Sequence, residues 1–191
     1  MALQHEDQIT DFDVTHGSLE AASIDGLVLR TGHLRNVNLG GAVLERLELT
    51  DVCLTDCDLA NVEFRQASMH RVQFVRCRLT GARLPETTTQ DLLFRRCIGN
   101  LSQFRYARLP SCRFENCDLQ EADFQGADLA GAVFSECDLR NVEMSQASLN
   151  GTDLTSSTID GLRANPESLQ GLIIEPHQAP HVAVLFGVEI R

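Results

Sequence analysis

The sequence contains no lysine and no tryptophan, and it has a single tyrosine. All 16 basic residues are therefore arginines, against 27 acidic residues, which gives a formal net charge of −11. An acidic excess disfavours nucleic acids and anionic membranes as partners, because both carry the same sign of charge. We therefore expect no direct nucleic-acid binding and no membrane association.

Long apolar segments are also missing. No stretch approaches the roughly 18 consecutive apolar residues of a membrane-spanning helix. The N-terminal stretch 1–15 has neither the basic nor the apolar region of a secretory signal. The seven cysteines are odd in number and include no CxxC pair, which indicates free thiols in a reducing compartment. These features predict a cytoplasmic protein.

Motifs of catalysis and metal binding are absent too. The sequence has no glycine-rich phosphate loop, no GxSxG and no HExxH. His177 and His181 are spaced as a helical pair, but no third ligand is evident. We expect no enzymatic activity, no cofactor and no metal site.

What the sequence does have is a period of five. Of the 30 residues taken at every fifth position from Val14 to Ile159, all but Thr89 and Gly99 are Val, Leu, Ile, Phe or Met. Two residues before each lies a second, mostly small position, occupied by many alanines and by six of the seven cysteines. Two inward side chains spaced two apart indicate a short extended segment. The residue just before the small position is often Gly, Asn or Asp, which are types that tolerate the positive φ of a tight corner.

A longer period of 20 sets the number of sides. Four phenylalanines lie 20 residues apart, at Phe74, Phe94, Phe114 and Phe134, and a column offset by ten holds Phe64, Phe104 and Phe124 with Leu84 and Met144. The two columns between them are almost entirely leucine. Five cysteines share a further column, at positions 57, 77, 97, 117 and 137. The pattern predicts a coil of four sides, with stacked Phe on two opposite faces and a ladder of cysteines that pack inside the coil.

These repeats, such as EADFQ-GADLA-GAVFS, resemble the A(D/N)LXX motif of the pentapeptide-repeat family over about residues 14–164. The resemblance implies an all-β, right-handed quadrilateral β-helix, a rod with a cross-section similar to that of duplex DNA. We predict a single domain over 1–191, with repeats over about 14–164 and a helical C-terminal cap or dimerisation segment over about 165–191.

The C-terminal segment predicts two short helical pieces. Asn165-Pro166 indicates a helix start, and 176–186 a second helix that ends at Gly187. Ala179, Val182, Ala183 and Phe186 form its expected inner stripe, while Val184 and Leu185 leave it apolar nearly all round. Two interpretations stay open. The helix is a buried cap, or it forms a tail-to-tail dimer interface through Val182, Val184, Leu185 and Phe186.

One coil, over 85–103, departs from the pattern. Pro85 opens it, and its inward positions include Thr87, Thr89, Gly99 and Ser102. Phe94 and Cys97 keep their columns, so no residue is inserted. We expect a bulged or kinked coil, which is either a functional loop or drift in a tolerant repeat.

Charge is segregated along the chain. Residues 1–64 carry 12 acids and 3 arginines, residues 65–113 carry 10 arginines and 2 acids, and residues 114–191 carry 13 acids and 3 arginines. Such blocks are not typical of a uniformly solvated surface. The candidate partner-binding acids are Asp118, Asp123, Asp128, Asp138, Glu143 and Asp153. The candidate basic belt comprises Arg78, Arg83, Arg96, Arg108 and Arg113.

Family members that resemble this chain include the quinolone-resistance proteins of the Qnr and MfpA type. That resemblance implies a dimeric rod that imitates duplex DNA and binds DNA gyrase or topoisomerase IV. Over residues 114–160 the charge density is about 0.8 per Å, against roughly 0.6 per Å for duplex DNA. The arginine-rich middle departs from a simple mimic. A generic protein-interaction scaffold with a different partner is therefore the competing hypothesis.

Overall fold

A computed structural model of the chain describes residues 7–189. The first six residues of the stretch considered for a signal, and the last two of the predicted cap segment, lie outside the described residues. The β-strands and helices are short and follow one another without insertions. They are β1 (Gln8–Ser18), β2 (Ser23–Asp25), β3 (Val28–Asn38), β4 (Val43–Glu45), β5 (Glu48–Thr55), β6 (Glu63–Arg65), β7 (Ser68–Val75), β8 (Thr88–Arg95), β9 (Arg113–Glu115), β10 (Val133–Ser135), two 3-10 helices (Pro166–Leu169 and Pro176–Gln178) and α1 (Ala179–Leu185).

All strand pairing is parallel and joins residues 20 apart. Leu34 lies opposite Leu54, which lies opposite Phe74, and the same offset continues to Phe94 and Phe114. The strands form a seven-stranded sheet in the order β1-β3-β5-β7-β8-β9-β10 and a three-stranded sheet in the order β2-β4-β6. Isolated bridges with the same offset complete the coils as far as Ile173. The predicted quadrilateral β-helix with a short helical cap is confirmed.

The corners of the coil account for the period of five. Every fifth residue from Asp11 to Gly151 has a positive φ. The rule holds for Arg71, Leu101 and Tyr106 as well as for the Gly, Asn and Asp residues. The coil therefore imposes this conformation on side chains that seldom adopt it alone, and the parallel hydrogen-bond ladder stabilises it.

The core over residues 64–134 is aromatic, as the columns predict. Phe94 stacks on Phe74 and Phe114 with ring centroids 4.8 and 4.9 Å apart, and Phe104 stacks on Phe124 at 4.7 Å. The two columns meet edge to face at about 6 Å, with Phe94 and Phe104 at 6.0 Å. Both geometries are favourable for aromatic rings, so Phe94 and Phe114 are each held by rings above, below and across.

The prediction of a bulged or kinked coil over 85–103 is wrong. Strand β8 pairs with β7 in unbroken register, and the amide of Gly99 donates to the carbonyl of Asp118 at 2.7 Å. Of the small polar side chains inside, Ser102 has a local partner, because its Oγ donates to the Gly99 carbonyl at 2.5 Å. Thr87 is fully buried, and its Oγ1 has no partner among the described residues. The coil keeps its path because the backbone ladder, not the inward side chains, sets it.

The cap follows the predicted chain path with a different inner face. The 3-10 helix after Asn165 and the positive φ of Gly187 were both expected. The second helix opens with a 3-10 turn rather than an α-helical one, which rotates the following residues because that turn holds 3.0 residues instead of 3.6. As a result the expected inner residues Ala179 and Phe186 are exposed, while Val182 and Leu185 pack against the core.

Candidate protein-binding surfaces

The C-terminal acidic surface comprises six carboxylates, and the β-helix distributes them over four faces of the rod. Asp118 lies directly beneath Asp138 on one face, and Asp123 beneath Glu143 on the next. Asp128 and Asp153 belong to the other two faces. The stacking of two pairs follows from the 20-residue period, and the surface as a whole surrounds the rod rather than forming a single patch.

Three of these carboxylates are paired with arginine. Asp123 binds Arg105 at 2.5 Å, Asp138 binds Arg140 at 2.6 Å and Glu143 binds Arg163 at 3.2 Å. The hydrogen bond from Arg140 lowers the pKa of Asp138, so this group stays ionised at neutral pH.

The other three carboxylates lack an arginine partner among residues 7–189. Asp118, Asp128 and Asp153 each accept a hydrogen bond from the amide two residues further along, at 3.1, 3.1 and 2.9 Å. These bonds hold the Oδ1 atom of each aspartate against the backbone of the corner that follows it. They leave the negative charge available to a partner.

The basic belt also encircles the rod. Arg78 stacks on Asp58 and beneath Ile98, while Arg83, Arg108 and Arg113 lie on the three other faces. Arg96 occupies a corner with positive φ. Such a ring presents no broad basic face to nucleic acid, because no side of the rod carries more than part of it.

Three arginines of the middle segment form ion pairs toward the N-terminal end of the rod. Arg71, Arg76 and Arg78 pair with the acids one coil earlier, Asp51, Asp56 and Asp58, with distances of 2.5 to 2.7 Å. The arginine hydrogen bond lowers the pKa of each of these three carboxyls. Three acids of the N-terminal block are thus neutralised by the next coil, which the blockwise charge count does not reveal.

The remaining arginines of the belt have no ion pair within the described part of the chain: Arg83, Arg96, Arg108 and Arg113. Exposed apolar side chains accompany them. Ile98, Leu101 and Tyr106 are 51, 50 and 55% exposed. Tyr106 rests on the corner of Gly126, where an added Cβ would come within 2.5 Å of the ring. Sequence reasoning missed these three residues, although their outward phase in the period of five places all of them on the surface.

The candidate dimer residues at the C-terminus divide into two pairs. Val182 and Leu185 pack against the end of the core, whereas Val184 and Phe186 are 60 and 58% exposed. Gln178 anchors the segment, since its buried Nε2 donates to the carbonyls of Leu154 and Ser157 at 2.8 and 2.7 Å. Only the outer pair is available to a second molecule.

The interior cysteines form the expected ladder, and their thiols donate hydrogen bonds to nearby backbone carbonyls. The thiol of Cys77 donates to the carbonyls of Leu54 and Val75, and Cys97 and Cys117 repeat the pattern one and two coils later. Burial raises the pKa of the Cys112 thiol well above its ordinary value. Over residues 7–189 no group of three or more His, Cys, Asp or Glu side chains could hold a metal ion. The described helices also include none that is long and apolar enough to cross a membrane.

Comparison with known families matches the repeats directly. A model described as pentapeptide repeat region matches residues 47–124, and one described as pentapeptide repeats (8 copies) matches residues 22–59 and 117–155. No curated protein matches the chain significantly by sequence.

Solved structures with a similar fold are distant in sequence. A trypsin-treated variant of QnrB1, a plasmid-mediated fluoroquinolone resistance protein, is 19% identical, with a TM-score of 0.46 over 98% of this chain and 100% of that one. HetL of the cyanobacterium Nostoc sp. strain PCC 7120, involved in heterocyst differentiation regulation, is 18% identical, with a TM-score of 0.36 over 90% of this chain and 87% of that one. Rfr23 of Cyanothece 51142 is 17% identical, with a TM-score of 0.33 over 56 and 64% of the two chains.

Proposed function

Because this chain belongs to the pentapeptide-repeat family and forms a repeat scaffold, we propose that it is a DNA-mimicking protein that binds a type II topoisomerase. The partner would be DNA gyrase or topoisomerase IV, and binding would modulate the enzyme or protect it from quinolones. The observation that carries the proposal is the charge of the C-terminal acidic surface. No catalytic step is assigned to the chain.

The charge density of residues 114–160 is close to that of DNA once the ion pairs are counted. This segment holds ten acids and Arg140. Three of the ten bind arginines from outside it: Glu115 with Arg95, Asp123 with Arg105 and Glu143 with Arg163. A net of −9 thereby falls to about −6, or about 0.5 per Å at 4.8 Å per coil, against roughly 0.6 per Å for duplex DNA. A saddle that binds a phosphate backbone would meet a comparable field here.

The polarity of the rod supports the choice of this end. The N-terminal acids at Asp51, Asp56 and Asp58 are neutralised by arginines of the next coil, whereas Asp118, Asp128 and Asp153 are not. A DNA-binding surface attracts unpaired charge more strongly than ion pairs, which present no net charge. We therefore propose that the C-terminal half enters the topoisomerase.

A homodimer would place two such halves at the centre of a doubled rod. Val184, Phe186 and Val188 are exposed beside Ile173 at the same end, which makes an apolar surface that a second copy would bury. Changing Val184 and Phe186 to aspartate should yield a monomer by light scattering, whereas Ile98→Asp, at an equally exposed apolar residue elsewhere, should leave the mass of the dimer unchanged. An unchanged mass of the double variant would contradict the C-terminal interface.

The topoisomerase proposal is tested by gyrase supercoiling with and without a quinolone. Purified protein at micromolar concentration should change supercoiling or quinolone sensitivity. Replacing Asp118 and Asp128 by asparagine should raise the concentration required about tenfold, because two unpaired charges are lost from the contact. Replacing Asp11 and Glu20 removes equal charge from the N-terminal end and should have little effect. If the wild-type protein alters neither readout, the proposal fails.

A second candidate function is a scaffold for a different protein, and the exposed residues of the middle favour it. Ile98, Leu101 and Tyr106 lie among Arg96 and Arg108, and aromatic side chains and arginine are enriched at protein interfaces. Under this hypothesis Leu101→Asp combined with Tyr106→Asp should abolish retention of a purified acidic partner while the asparagine variants of Asp118 and Asp128 keep it. The opposite pattern would favour the topoisomerase.

A further inference from the structure

The interior of the rod differs at its N-terminal end. From Ile9 to Leu59 the inward column positions are Ile, Val or Leu, and the two aromatic columns start only at Phe64 and Phe74. Without stacked rings the four walls do not meet. A cavity of about 390 Å³ remains along the axis, lined mostly by aliphatic side chains and with Phe64 among its lining residues.

One small residue, Gly17, widens the cavity in the first coil. Gly17 occupies an inward position opposite Val37, and an added Cβ there would meet only Val14, at 3.9 Å. Gly32, an inward glycine of the second coil, is by contrast covered by the ring of Phe12, which an added Cβ would approach to 2.6 Å. The space beside Gly17 is thus open, while the space beside Gly32 is filled.

Among residues 7–189 the cavity is long, narrow and open toward the N-terminal end of the rod. Its outer walls, Ile9, Phe12, Val14 and Leu19, are only partly buried. In the next coil Leu29, Val37 and Leu39 are buried and Leu34 is partly buried, and deeper in the rod Phe64 is 1% exposed. Between the layers of Ile9 and Phe64 lie nearly three coils, or about 13 Å at the spacing of neighbouring strands. An unbranched chain fits such a space, whereas a broad ring system does not.

The surface around the opening is acidic. Residues 7–26 contain five acids and no arginine. Asp13, Thr15, His16 and Ser18 also contribute to the lining. The carboxylates of Asp13 and Asp25 are paired with Arg35 and Arg46, so neither arginine is free to bind an anion, and the excess of acid at the opening comes from the other three. The field at the opening opposes a carboxylate or phosphate head group and attracts a cation.

We propose that this axial cavity binds an unbranched alkyl chain that carries an ammonium head group, with the chain inside the rod and the head at the acidic opening. Apolar burial supplies the affinity, and the charge of the first coil selects the head. The site is independent of the topoisomerase proposal, because it uses the end of the rod opposite the C-terminal acidic surface.

The test is calorimetric titration of the full chain with alkyltrimethylammonium salts below their micelle concentrations. Decyltrimethylammonium should bind saturably at one per chain. Each added methylene should tighten binding about fourfold until the chain exceeds the cavity, after which affinity should level off. Decanoate should bind at least about tenfold more weakly. Absence of saturable binding by the wild-type protein would overturn the proposal, and equal binding of decanoate would overturn the choice of head group.

Cavity-filling variants locate the site. Gly17→Leu should weaken binding of decyltrimethylammonium at least about tenfold, because its side chain enters the open space. Thr10→Leu adds the same side chain to the outer face of the same strand and should leave binding unchanged. Leu54→Phe fills the cavity from a deeper coil, so it should also weaken binding of decyltrimethylammonium. This second variant keeps the test valid if Gly17→Leu fails to fold. Unchanged affinity in Leu54→Phe and in folded Gly17→Leu would overturn the assignment.

Discussion

The two halves of this rod share one backbone and differ in what fills it. Residues 7–63 enclose aliphatic side chains around an open axis, whereas residues 64–144 enclose two columns of stacked phenylalanines without such a cavity among the described residues. The surfaces differ as well, because the N-terminal acids are bound by arginines of the next coil and several C-terminal acids are not. The comparison teaches that the repeat specifies the coil, while the choice of Leu or Phe sets how rigidly it is packed.

The largest expected effect comes from placing a charge in each core. Phe114 is fully buried and stacks on Phe94 and Phe134, so Phe114→Asp buries an unpaired carboxylate among rings and should abolish folding. Val14→Asp places the same charge at the partly buried end of the rod, where water reaches it, and should leave a folded protein. Circular dichroism and thermal unfolding measure both. If the two variants unfold alike, the halves do not differ in packing.

The sequence predicts the difference between the halves only in part. The period of 20 identifies the Phe columns, because stacking follows from residue spacing alone. It does not reveal the cavity, since an open axis depends on side-chain volume summed over four walls and on the empty position of Gly17. The pairing of Arg76 with Asp56 could have been predicted, because both occupy the same corner one coil apart.

Errors arose where a local signal competes with the ladder. Thr87 and Gly99 suggested a distorted coil, yet backbone pairing to both neighbours keeps the register. The prediction of which cap residues face inward is wrong. It assumes a uniform α-helical turn, whereas a 3-10 turn precedes α1. The binding roles of the acidic surface and of the arginine belt stay predictions, because they depend on a partner.

Exchanging Leu for Phe should have opposite effects in the two halves. Leu54→Phe extends the column of Phe74 into the cavity and should raise the free energy of unfolding by about 1 kcal/mol. Leu109→Phe adds the same volume to a fully buried position of the aromatic half. This change should lower the free energy of unfolding by about 1–3 kcal/mol. Urea unfolding followed by circular dichroism gives both values. Equal signs would contradict the difference in packing.

The cysteine ladder reports local opening along the rod. The neighbouring Cys77 thiol and burial raise the pKa of Cys57 well above its ordinary value, and the Cys117 thiol raises the pKa of Cys97 to about 12. Labelling of either residue by iodoacetamide therefore requires opening of the coil. Because Cys57 lies in the aliphatic half, it should react about tenfold faster than Cys97 in native protein, as measured by peptide mass spectrometry. Equal rates would show that both halves open together.

The smallest effect concerns the surface pairs of the N-terminal half. Arg78→Gln removes the hydrogen bond that lowers the pKa of Asp58 and should lower the free energy of unfolding only slightly at neutral pH, since exposed pairs contribute little. Because the pKa of Asp58 is lowered in the folded protein, the carboxylate stabilises the fold at pH values above 3.8, its ordinary pKa. That stabilisation is lost as the pH falls through the lowered pKa. The difference from wild type should therefore vanish in strong acid. Arg96→Gln changes an arginine without an ion pair in the described chain, so it should leave the free energy of unfolding unchanged. An equal cost for both would show that pairing does not distinguish these arginines.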